Sequence, residues 1–86
     1  MTTSSSEAQI RTIIAEHAGL NVPIESVDDS TDLFHCGMTS FTSVNVMLAL
    51  EQAFDLEFPD AMLTRAVFGS IESISQAIDA MRAASR

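Results

Sequence analysis

The chain has 86 residues, 47% of them apolar, and contains no Trp or Tyr. This length suits one small domain with a core of Phe, Met, Leu, Ile and Val, and the apolar content excludes a disordered body. Twelve acidic residues against four basic ones leave a net charge of −8, so the basic footprint that nucleic acids and anionic membranes require is missing.

Met1-Thr2-Thr3-Ser4-Ser5-Ser6 has neither the basic start nor the apolar core of a secretory signal. The sequence predicts a flexible lead over residues 1–4 and a single domain over 5–84. The first helix is expected at 5–18, opened by a capping box of Ser4 with Glu7. Ile10, Ile13, Ile14 and Ala18 recur at three and four and share one face. Gly19 is a natural stop, because glycine accepts the left-handed cap.

Residues 19–39 have no sustained period. Turn formers such as Asn21, Pro23, Asp28, Ser30 and Asp32 alternate with Leu20, Val22, Ile24, Val27, Leu33 and Phe34. The expectation is a long loop pinned to the core, with room for a short helical turn over 22–27. A second helix follows at 40–54. Val46, Leu50 and Phe54 mark its inward face, whereas Phe41, Val44 and Leu48 make it apolar on a second side. A helix apolar on two sides is either deeply buried or presents one side to a partner. Phe58-Pro59-Asp60 breaks the chain, a short helical stretch is expected at 60–65, and Val67-Phe68 tucks into the core. Ser70 caps a last helix at 71–84 with Ile71, Ile74, Ile78 and Met81 on one face. The pattern is all-α: a four-helix bundle of three longer helices and one short one, with a long loop between the first two.

Several chemistries can be written onto the loop and fail on spacing. Asp28, Ser30 and Asp32 alternate as in a calcium loop, but Leu33 stands where glycine is needed and Thr39 where glutamate is needed. His35 and Cys36 are too few for zinc, with only His17 as a further nitrogen ligand. A Ser40-His35-Asp32 triad lacks the glycine-serine-glycine elbow and a domain large enough for a substrate pocket. The single Cys36 excludes an internal disulfide and fits a reducing cytoplasm. Ser40 reads either as a helix cap or as an exposed attachment hydroxyl at a helix start, where free amides and the helix dipole favour an anion.

Taken together, Asp32-Leu33-Phe34, Gly37-Met38-Thr39-Ser40-Phe41, Val44, Ala49-Leu50-Glu51, Phe54, Pro59-Asp60 and Phe68-Gly69-Ser70-Ile71 resemble the acyl carrier protein family over about residues 7–82. The resemblance implies a bundle with a covalent 4'-phosphopantetheine arm on Ser40, taken from coenzyme A by a separate phosphopantetheinyl transferase. It implies no catalysis by the chain, which would carry an acyl or aminoacyl thioester between enzymes as a cytoplasmic monomer. Met38, Thr39, Phe41, Val44 and Leu48 are the implied docking residues.

The departures from the family pattern concern charge. Thr39 and Phe41 replace the usual Asp and Leu around the serine, and Thr42, Ser43 and Asn45 are neutral. Thr39 can still cap the helix. Partners that read an acidic helix with Arg and Lys are disfavoured on this face. The neutral start is similar to that of stand-alone aminoacyl carrier proteins, which are loaded by homologues of seryl-tRNA synthetase acting as amino acid:carrier protein ligases. The downstream acceptor is unknown. A discrete carrier for polyketide or nonribosomal peptide assembly, and an unmodified interaction module, are the alternatives.

Overall fold

The computed structural model describes residues 2–84, with side chains described for residues 7–83. Four α-helices follow in chain order: α1 (Thr2–His17), α2 (Ser40–Phe54), α3 (Arg65–Phe68) and α4 (Ile71–Ala84). Three single 3-10 turns, at Ile24–Ser26, Leu33–Cys36 and Asp60–Met62, punctuate the connections. No strand occurs among the described residues. None of the described helices is long and apolar enough to cross a membrane. The bundle thus has the expected three longer helices, one short helix and long first loop.

α1 begins at Thr2, so residues 2–4 continue the helix instead of forming the expected lead. No Gly or Pro interrupts the run from Thr2 to Ile10, and nothing therefore stops outward propagation of the helical bonds. The expected Ser4 cap involves a side chain outside the described residues. Ile10, Ile14 and Ala18 are fully buried and Ile13 nearly so. This stripe packs α1 against both α2 and α4. α4 answers with Ile71, Ile74 and Ile78, each fully buried. Sequestering each such side chain stabilises the fold by about 1.5–3 kcal/mol. Ser70 caps α4 as expected: its Oγ accepts from the Ser73 amide at 3.1 Å, and Ser73 Oγ accepts from the Ser70 amide at 3.3 Å.

The short helix lies at Arg65–Phe68, after the 60–65 stretch expected from sequence. Of that stretch Asp60–Met62 forms a 3-10 turn that ends at Leu63, whose φ of −84° and ψ of 69° leave the helical region, and Arg65 already belongs to the next helix. Thr64 then restarts the helix by accepting from the Val67 amide at 3.3 Å. Phe68, at the end of α3, meets Phe58 with ring centroids 5.2 Å apart, and both rings are buried. The Phe58 amide donates to Glu51 Oε2 at 2.8 Å, which ties the return loop to α2.

The long connection is fixed by backbone pairs that reach across the molecule. The Leu33 amide donates to the Gly69 carbonyl at 2.7 Å, the Glu72 amide to the Asp29 carbonyl at 2.9 Å, and the Asn21 amide to the Cys36 carbonyl at 2.8 Å. Arg11 of α1 adds a clamp. Its Nη1 donates to the Val27 carbonyl at 2.9 Å and its Nη2 to Asp29 Oδ1 at 2.7 Å. These anchors let Val27 and Leu33 enter the core, and they deliver the chain to the start of α2 at a defined position.

Candidate attachment site around Ser40

The approach to Ser40 is a sequence of caps. Asp32 Oδ1 accepts from the Phe34 amide at 3.0 Å and starts the Leu33–Cys36 turn. Gly37 ends that turn at φ 111°. A side chain there would be strained by the left-handed backbone, and a Cβ would lie 3.1 Å from both the Asn21 nitrogen and the Gly19 oxygen. Gly37 therefore allows the loop to close against residues 19–21. The Met38 amide then donates to the Leu33 carbonyl at 3.2 Å, and the Met38 side chain points into the core with 3% exposure. Met38 therefore lies in the core of the free chain and not on the outward surface expected for a docking residue. The tight reversal after Gly37 turns it inward.

Thr39 is the N-cap of α2. Its Oγ1 accepts from the Thr42 amide at 3.1 Å, and Thr42 Oγ1 accepts from the Thr39 amide at 2.9 Å. This reciprocal capping box uses two threonines where Ser/Thr with Glu/Gln is the common form. Because Thr39 makes the cap, the Ser40 hydroxyl is left out of it. Ser40 is the first residue of α2 and is exposed. Its carbonyl accepts from Ser43 Oγ at 2.7 Å, which satisfies the one buried polar side chain of the helix. The backbone under Ser40 is therefore fixed from both sides while the residue itself stays exposed.

α2 separates its apolar residues as the two-sided pattern anticipates. Val46 and Leu50 are fully buried, whereas Phe41 is 77% exposed and Leu48 49% exposed. Val44 is half-buried and Thr39 exposed. The first turn carries no acid. Ser40, Phe41, Val44 and Leu48 therefore form one outward surface, apolar and neutral. An open hollow of about 700 Å³ between α1 and α2 borders Leu48, with Gln9, Thr12 and Asn45 on its walls.

A smaller cleft of about 220 Å³ opens beside Ser40, between α2 and the segment leading into α3. Phe34, Val44, Leu63 and Phe68 give it apolar walls, and Arg65 contributes a cation. Sequence reasoning missed Arg65, since nothing local places residue 65 next to residue 40. The alternative triad does not assemble. His35 is 85% exposed, with Nδ1 3.8 Å from Asp32 Oδ2, beyond hydrogen-bond range. Asp32 serves as a turn cap and Asp29 pairs with Arg11, so these acids have structural work in the loop.

A phosphodiester-linked group fits this arrangement. The donor is a primary hydroxyl free of the cap, the helix start and Arg65 favour an anion, and the adjoining cleft has apolar walls.

Known proteins point the same way. Residues 8–78 match the family described as the phosphopantetheine attachment site. An aminoacyl carrier protein of Agrobacterium fabrum is 44% identical over 71 residues, covering 83% of this chain and 86% of that protein. A chain in the crystal structure of engineered Bradyrhizobium japonicum glycine:[carrier protein] ligase, complexed with carrier protein from Agrobacterium tumefaciens and ATP, superposes with a TM-score of 0.82 at 42% identity. That match covers 86% of this chain and 96% of the other. A chain in the Bradyrhizobium japonicum glycine:[carrier protein] ligase complex with glycylated carrier protein matches at a TM-score of 0.64 and 25% identity, covering 88% of this chain and 97% of the other. With its fold and its family match over residues 8–78 in agreement, the chain belongs to the phosphopantetheine attachment site family of carrier proteins.

Proposed function

We propose that the chain is a non-catalytic aminoacyl carrier of the cytoplasm, armed on Ser40. The observation that carries the reading is the Ser40 hydroxyl, exposed at the head of α2 and left out of the cap by Thr39. A 4'-phosphopantetheine arm there supplies a terminal thiol that holds the amino acid as a thioester. The chain's own residues fix the backbone beneath the serine, keep its Oγ accessible to a phosphopantetheinyl transferase, and offer Phe41, Val44 and Leu48 to the loading enzyme. The aminoacyl subtype is supported by the relative from Agrobacterium fabrum and by the carrier proteins seen with glycine:[carrier protein] ligases. The loading partner is accordingly an amino acid:carrier protein ligase related to seryl-tRNA synthetase. The neutral first turn of α2 agrees with this, since such a surface gives little purchase to enzymes that recognise acidic carriers.

The test is loading. Armed protein, incubated with such a ligase, ATP and glycine, is expected to gain the mass of one aminoacyl group, and hydroxylamine is expected to remove it. Unarmed protein should gain nothing. Loading by fatty-acyl enzymes alone would overturn the aminoacyl reading.

A further inference from the structure

Arg65 opens α3 and shares the small cleft with Ser40. Its guanidinium lies over the Phe34 ring, 4.4 Å from the centroid, a cation–π arrangement that fixes the plane of the fork. Its Nη2 stands 3.6 Å from Asp32 Oδ2, too far for a strong hydrogen bond. A guanidinium carries five donors, and Asp32 is its polar partner among the described residues. Most of its hydrogen-bonding capacity is therefore unspent, and its side chain is 67% exposed.

The placement is unusual for this chain. The net charge is −8, and all four basic residues are arginines. Arg11 is committed to the Ile24–Asp29 loop. Arg82 lies over Phe54, at the far end of α2, about 21 Å from Ser40 along the helix. Arg65 is thus the described arginine that sits beside the attachment serine.

We infer that Arg65 binds the phosphodiester of an arm on Ser40, an inference that rests on Ser40 as the attachment point. Arginine suits this task because its planar fork can bond two phosphate oxygens at once. Phe34 holds the fork in the cleft, and Asp32 is its counter-ion until the phosphodiester takes over part of that role. Val44 and Leu63, which line the same cleft, would then flank the head of the arm.

The experiment uses the full chain, armed by a phosphopantetheinyl transferase, with attachment at Ser40 established by intact and peptide mass. The readouts are the 31P resonance of the phosphodiester and the Arg65 Nε–Hε correlation. On arming, the Arg65 correlation of the wild-type chain is expected to move. In armed Arg65→Gln the 31P resonance should shift toward its position in urea-unfolded armed protein, with Arg65→Lys in between. The apo-to-armed comparison needs no variant, so it stands even if a substitution perturbs folding. An arm on Ser40 with an unmoved Arg65 correlation, and the same 31P resonance in wild type and Arg65→Gln, would overturn the inference alone. No arm, or an arm on another residue, would overturn the attachment reading and this inference with it.

Discussion

Replacing Phe41 with alanine probes the outward face of α2 without disturbing the core. The ring is 77% exposed, so little packing is lost and stability should change by no more than about 0.5 kcal/mol. A Phe side chain presents roughly 150–250 Å², of which about 120–190 Å² is open to a partner at this exposure. At about 25 cal/mol per Å² that corresponds to roughly 3–5 kcal/mol gross. Alanine keeps part of the contact, and ordering costs at the interface take a further share. A net loss of about 1.5–3 kcal/mol follows, or roughly 10- to 150-fold in kcat/KM for loading. The assay is ligase loading of armed wild type and Phe41→Ala, with a urea melt of both as the control for folding. Equal loading efficiency would refute the assignment of this face to the ligase. A parallel fall in stability would refute the claim that Phe41 lies outside the core.

Three further outcomes concern the scaffold that holds the serine. Arg11→Met keeps the aliphatic stem but removes the bonds to the Val27 carbonyl and Asp29. Charge-assisted bonds of this partly exposed kind suggest a loss of about 1–3 kcal/mol in urea denaturation; a loss under about 0.5 kcal/mol would mean that the clamp does not hold the loop. Gly37→Ala places a Cβ 3.1 Å from backbone atoms at φ 111°, and a cost of about 2–4 kcal/mol is expected; unchanged stability would contradict the close approach of loop and Gly19. Glu51→Gln still accepts from the Phe58 amide, whereas Glu51→Ala orphans it. The first should cost well under the second, which is expected near 1–3 kcal/mol, and equal melts would remove Glu51 from the anchoring of the return loop.

α2 and α4 were legible to the residue because each has its own local start signal. Thr39 before Ser40, and Ser70 before Ile71, are caps followed by apolar residues at helical spacing. The start of α1 was less legible, since the run of Thr and Ser from Thr2 to Ser6 suits a cap at several positions and no breaker selects one. The short helix was misplaced because Leu63 and Thr64 look like helix continuation. Only the observed backbone shows Leu63 leaving the helix and Thr64 capping a new one.

At the site, the place of Ser40 at the head of α2 and the second apolar side with Phe41 and Leu48 are legible in the sequence, and the attachment role of Ser40 is implied only by the family resemblance, whereas the inward turn of Met38 and the nearness of Arg65 are not legible. The inward turn of Met38 depends on Gly37 closing against Asn21 and Gly19. The nearness of Arg65 to Ser40 depends on Phe34, Asp32 and α3 meeting across the bundle. Both are products of tertiary docking, and a linear pattern carries no record of which distant segment a loop will meet.

The central claim is that Ser40 bears the arm, and intact mass tests it most directly. Coexpression with a broad-specificity phosphopantetheinyl transferase should add one 4'-phosphopantetheine to the wild-type chain and none to Ser40→Ala, with both proteins equally folded. An unmodified wild type, or the same increment on Ser40→Ala, would contradict the account.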